Sequence, residues 1–182
     1  MRTALIVAFV LMAATLTTHG AQDGTTISVV ETGGDFQVSA RFVVPESPEV
    51  VRAVLTDYPA IPRFMPDVRT SVVVDRGDRT ARVEQEAVSK FMWFSKTVHL
   101  VLDVDEGNEV IAFRDRCTRS FRRYEGSWTM TRQGELTELT YQLAARPAFS
   151  VPGFVLRKLL NRDAVVMVDR LRTEIRARGA GR

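Results

Sequence analysis

Few residues in this chain could move a proton or bind a metal. Beyond the first twenty positions there is one histidine, His99, and the whole chain holds one cysteine, Cys117. A Ser-His-Asp or Cys-His arrangement would have to use that imidazole. Alternation puts it with Thr97, Val101 and Asp103, on the polar face opposite Val98, Leu100 and Leu102. One imidazole and one thiol fall short of the three or four protein ligands of an ordinary zinc site. No glycine-rich phosphate loop or dinucleotide fingerprint is present. Among many carboxylates, Asp57, Asp115 and Glu125 stand nearest to aromatic or basic neighbours and are the candidate acids. Gln85 and Ser89 share the parity of Val83 and Ala87, which directs them inward. A buried amide or hydroxyl without a partner costs on the order of 1–3 kcal/mol. Each therefore needs the other, a water, or the polar head of a ligand.

The elements that must position these groups are legible in outline. Ile27–Val30 and Phe36–Val44 read as the opening strand or strands, broken at Gly33 and Gly34. Ser47 suits a helix N-cap, Pro48 the first helical position, and Val50, Val51, Val54 and Leu55 one apolar face. Pro59, Pro62 and Pro66 prevent a longer helix and leave Tyr58, Ile61, Phe64 and Met65 on a short bent connector. Strands follow at Val68–Val74, Ala81–Phe91, Lys96–Asp103, Val110 to about Arg116, Tyr124–Thr131 and Leu136–Ala145. In the Ala81 strand, Arg82, Glu84, Glu86 and Lys90 oppose Val83, Gln85, Ala87, Ser89 and Phe91, so one face is wet and the other covered. Turns at Asp75–Asp78, Glu106–Asn108 and Gln133–Glu135 are short, which implies an antiparallel meander. Arg76-Gly77-Asp78 spells a cell-adhesion tripeptide, but a hairpin turn explains the same residues. From about Pro152 to Arg176 a long helix is expected, with Leu156, Leu160, Ala164, Met167, Leu171 and Ile175 as its apolar stripe.

Composition narrows the class further. Arg2, an uncharged run from Thr3 to Leu16 and small residues at Thr18 and Gly20 form a secretory signal, with cleavage expected after Gly20. A retained N-terminal anchor is the alternative, although the run is shorter than the ~20 residues of a spanning helix. The expected location is therefore periplasmic or secreted. The remaining residues suffice for one domain with a sizeable core, and Cys117 has no partner for an internal disulfide. A formal charge of +3 is too small to argue for nucleic acid. Arg114, Arg116, Arg119, Arg122 and Arg123 crowd one segment, opposed by Asp115 and Glu125. That is either an anion-facing patch or a solvated hairpin rim with local ion pairs. Phe91-Met92-Trp93-Phe94, flanked by Lys90 and Lys96, breaks the alternation. It reads either as a crossover packed inside, or as a tip for peripheral membrane contact.

The segment VPESPEVVRAVLTDYPAIPRFMP from Val44 to Pro66 resembles the START-like, or polyketide cyclase/dehydrase (SRPBCC), superfamily, most nearly its coenzyme Q-binding branch. FSKTVHLVLDV from Phe94, IAFRD from Ile111, YEGSWTM from Tyr124 and LTYQLAARPAFSVPGF ending at Phe154 carry the same resemblance. It spans roughly Phe36 to Ile175, within a domain expected over 27–178. The resemblance implies an α+β helix-grip fold: a curved antiparallel sheet around the C-terminal helix, with two short helices after the first strand. It also implies a cavity between sheet and helix. Phe91, Phe113, Trp128, Tyr141, Phe149, Phe154, Leu160 and Met167 are the candidates for its lining by alternation, unless they are simply core. Tyr58, Phe64 and Met65 would close one end, and Gln85 and Ser89 would be its polar groups. The expected ligand is a hydrophobic small molecule or lipid, such as an isoprenoid quinone, with no cofactor and no metal. A cyclase or dehydratase using one acid or base in the cavity is the alternative, and a protein-interaction module a third.

Overall fold

Among the described residues, eight antiparallel strands and one long helix enclose the hydrophobic interior. The structure is a computed structural model, and it describes residues 24–91 and 94–181. The side chains of 89–94 and the expected signal at 1–20 lie outside the described residues. β1 (Thr26–Thr32) and β2 (Asp35–Val44) form a hairpin through Gly33 and Gly34, both at positive φ where a side chain would be strained. α1 (Pro48–Leu55), a 3₁₀ turn (Tyr58–Ala60) and α2 (Ile61–Phe64) then cross one end of the sheet. These short helices follow the second strand, not the first, because the Gly pair separates β1 from β2. The meander continues through β3 (Val68–Arg76), β4 (Thr80–Phe91), β5 (Phe94–Glu106), β6 (Val110–Asp115), β7 (Phe121–Gln133) and β8 (Leu136–Pro147). The strand order is β1-β2-β8-β7-β6-β5-β4-β3, so β2 pairs with β8 and brings the two ends of the chain's sheet segments together.

α1 forms as its sequence predicts, with Pro48 in its first turn and Val50, Val51 and Val54 buried. Fully burying each such side chain contributes about 1.5–3 kcal/mol. Ser47 has the extended backbone of an N-cap, yet its hydroxyl makes no capping hydrogen bond. The expected cap bond is therefore corrected: proline and the packing of the valines start this helix. Gly77 N–H donates to the Thr80 carbonyl at 2.9 Å, which closes the β3–β4 hairpin across the adhesion-like tripeptide.

α3 (Gly153–Ala180) lies across the inner face and reaches β1, β2, α1 and β4. It extends slightly beyond the predicted range. Val155, Leu156, Leu159, Ala164, Val168, Leu171 and Ile175 are its packed residues, while Leu160 and Met167 remain half-buried. At two points the packed residue is thus the neighbour of the expected one, Leu159 beside Leu160 and Val168 beside Met167. Gly126 interrupts β7 at mid-strand. A Cβ there would overlap the Gln142 carbonyl and lie 2.8 Å from Phe113 Cζ, so only glycine lets β7 and β8 approach as they do.

Candidate functional site

Inner-face residues divide into two groups by accessibility. Phe42, Val44, Val51, Val83, Leu139 and Ile175 are sealed. Ala87, Val98, Phe113, Tyr124, Trp128, Leu160 and Met167 point the same way but stay half-buried. The difference is a hollow: a cavity of about 340 Å³ lies between α3, the inner face and the short helices. Its size falls near the lower end of the roughly 300–1,000 Å³ typical of small-molecule sites.

α3 walls one side with Leu156, Leu159, Leu160, Ala164, Met167 and Leu171, and three further regions complete the wall. Val38, Val54, Leu100, Leu102, Val104, Ile111 and Leu143 form an aliphatic floor. Phe113, Phe121, Tyr124, Trp128, Tyr141 and Phe149 form an aromatic side. Ring centroids there are 4.6 Å apart for Trp128 and Tyr141, 5.0 Å for Phe121 and Tyr124, and 6.0 Å for Phe113 and Tyr124. Leu55, Tyr58, Ile61, Phe64 and Met65 close the end under the proline connector. That end is locked from outside: the Tyr58 hydroxyl donates to Glu106 Oε1 at 2.9 Å, Arg76 pairs with the same oxygen, and Arg52 Nη2 lies 3.9 Å from Oε2. Pro66, Asp67 and Lys96 are lining residues open to solvent, and they mark the mouth. Lys96 Nζ stands 5.1 Å over the Phe149 ring, and Arg162 bridges Asp67 and Asp163 beside it.

Polar groups inside are few. Gln85 Nε2 donates to Ser71 Oγ at 3.1 Å, so its partner is a neighbouring strand and not Ser89. Tyr124 and Tyr141 lie close enough for their hydroxyls to interact, and loss of solvent pushes both phenols up from their ordinary value. Tyr58 is raised as well, by burial first and then by the Glu106 carboxylate that accepts its proton. All three phenols are therefore neutral at ordinary pH.

Ten of the residues picked out from sequence line this cavity: Tyr58, Phe64, Met65, Gln85, Phe113, Trp128, Tyr141, Phe149, Leu160 and Met167. Phe154 does not, and this is a correction. It is 62% exposed, because α3 begins at Gly153 and its first turn aims Phe154 outward while Val155 and Leu156 turn in. The side chains of Ser89 and Phe91 lie outside the described residues. Tyr124 and Phe121 escaped notice. Tyr124 shares parity with Trp128 and could have been found that way. Phe121 could not, since a register shift between Phe121 and Arg123 reverses the count.

The three candidate acids point elsewhere. Asp115 is buried but accepts from the backbone amides of Val101, Cys117 and Thr118, bracing a turn. Glu125 pairs with Arg123 and Arg114 on the outer face, and Asp57 with Arg178 and Arg63. Arg123, then Arg114, holds the Glu125 carboxyl below the usual range. Arg116 pairs with Asp103, so ion pairs run through the arginine-rich segment. His99 Nδ1 is 3.5 Å from Glu86 on the outer side, and Cys117 Sγ faces the His99 carbonyl, not its ring. Among the described residues no cluster of three metal-binding side chains occurs, and no helix is long and apolar enough to cross a membrane. A larger outer groove of about 780 Å³ crosses β4–β8, but it is open and walled by the Arg82–Asp103 and Arg114–Glu125 pairs.

A curved antiparallel sheet gripping a C-terminal helix around an apolar hollow defines a helix-grip protein of the START-like class. More narrowly, the chain belongs to the family described as polyketide cyclase/dehydrase and lipid transport, whose model matches residues 35–176. Among solved structures, a STAR-related lipid transfer protein from Xanthomonas axonopodis is similar at 17% identity and TM-score 0.67, covering 85% of this chain and 99% of its own. The Zhui aromatase/cyclase from Streptomyces sp. R1128 matches at 17% identity and TM-score 0.67, over 79% and 95% of the two chains. Human STARD10 matches at 12% identity and TM-score 0.64, over 86% and 74%. At these identities the likeness establishes the fold alone. A search of curated proteins gives no match.

Proposed function

We propose that this protein is an exported binder or carrier of a hydrophobic small molecule, lipid-like or isoprenoid-quinone-like, held in the inner cavity. The carrying observation is the hollow of about 340 Å³ with aliphatic and aromatic walls and its charged side chains at the mouth. Such walls favour an apolar tail by about 0.8 kcal/mol per buried CH₂. Export is supported by the basic Arg2, the Thr3–Leu16 run and the small residues near Gly20. The family's description, which includes lipid transport, supports the ligand class. Native mass spectrometry of protein taken from its own cell envelope should show an added apolar mass. Ligand-free protein that also binds nothing from a broad lipid panel overturns the reading.

Delivery would be at a membrane surface, through Phe91, Met92, Trp93 and Phe94 with Lys90 and Lys96 beside them. A folded Trp93→Ser, Phe94→Ser variant should lose co-sedimentation with anionic liposomes, and unchanged partitioning removes this contact. The second reading is a cyclase or dehydratase for an aromatic or polyketide-like substrate. It is favoured by the ring-rich side of the cavity, where its proton-moving groups would be Tyr124, Tyr141 or Asp163. Absence of turnover on a polyketide-like substrate panel removes it.

A further inference from the structure

We propose that the ligand bears an uncharged head with an acceptor oxygen, a carbonyl or ether on a flat ring, which the Tyr124–Tyr141 hydroxyl pair binds. This rests on the cavity being a ligand site and specifies what enters it. Both residues line the hollow, their two hydroxyls carry two protons, and among the described residues neither hydroxyl donates to a third side chain. The pair therefore offers a donor to the hollow.

Its surroundings define the rest of the head. Phe113, Phe121 and Trp128 stand around the two phenols at ring-stacking distances, whereas the remaining wall is mostly aliphatic. A flat ring fits the first region and an alkyl tail the second. Other polar groups of the lining are engaged: Tyr58 with Glu106, and the Gln85 amide with Ser71. Lys96, the one cation among the described lining residues, is at the mouth over Phe149. An anionic head at the tyrosines would be desolvated without a counter-charge. A cationic head would find the Asp163 carboxylate already paired with Arg162 at 2.7 Å.

Calorimetric titration of the mature protein with octanophenone, octylbenzene and para-octylbenzoate separates these terms at nearly constant shape. The ketone should bind roughly three- to tenfold tighter than the hydrocarbon, as one net hydrogen bond allows. The carboxylate should bind weakest. In a Tyr124→Phe, Tyr141→Phe variant the ketone's advantage should vanish while octylbenzene keeps its Kd. Should that variant not fold, the ranking in the unmodified protein decides. A ketone that binds no tighter than octylbenzene, or keeps its advantage without the phenols, overturns the head assignment and leaves the apolar-cavity reading intact. Failure of all three probes to bind removes both.

Discussion

Alkali should unfold this protein through its tyrosines. The chain has three, Tyr58, Tyr124 and Tyr141, and every one is held above the ordinary phenol value of 10.0, mainly by burial. In the unfolded chain each ionises near pH 10. A raised folded-state value means that the stabilisation is fully present below that pH and is lost as pH climbs toward the folded values. Between pH 10 and the folded values the unfolded state holds up to three fewer protons than the native one. At about 1.4 kcal/mol per proton per pH unit, stability falls by about 4 kcal/mol for each unit. A domain stability near the lower end of about 5–15 kcal/mol is then exhausted within roughly one to two units. Phenolate absorbance and far-ultraviolet circular dichroism should be followed on the same samples. Phenolate should appear only as the β signal is lost, and Tyr58→Phe should reduce the slope by about a third. Phenolate forming near pH 10 with the dichroism unchanged would refute the reasoning.

Ala87 faces the hollow from β4, so Ala87→Leu should fill space instead of crowding it. Three added carbons stabilise by up to about 2 kcal/mol there, whereas a solid core would lose about 1–3 kcal/mol. The urea midpoint decides the sign, and octylbenzene affinity should fall. Gly126→Ala forces a Cβ against the Gln142 carbonyl and Phe113 Cζ. It should destabilise by about 1–3 kcal/mol and lower Tm by several degrees, and an unchanged Tm contradicts the close approach. Phe154→Ser should change stability by no more than about 0.5 kcal/mol and leave octylbenzene binding unaltered. A marked loss of affinity would return Phe154 to the site.

Much of the fold was legible because strand alternation and helix spacing report local burial directly. The Ala81 strand shows this: its predicted inner residues Val83, Gln85 and Ala87 do face inward. Ser47 shows a limit. A good capping residue was read correctly as a helix start, yet its hydroxyl forms no cap bond. Phe154 shows another: alternation selected it, yet it stands in the first turn of α3, about 200° around the axis from the buried Leu156. The candidate acids failed for a similar reason. Proximity of Asp115 to Arg114 and Arg116 in sequence said nothing of the three amides that engage it in space.

From the sequence alone come the order of elements, the antiparallel pairing of neighbours and the apolar character of the inner face. Those follow from periodicity, turn chemistry and proline placement, all of which act within a few residues. Only the tertiary structure decides that Ala87 and Trp128 border a void while Val83 is sealed. It also decides that Tyr124 meets Tyr141 across β7 and β8, and that Glu106 receives Tyr58, Arg76 and Arg52 from three separate segments. Whether a space is filled depends on summed side-chain volumes from many elements and on the rotation of one helix. Neither quantity is carried by any local stretch of chain.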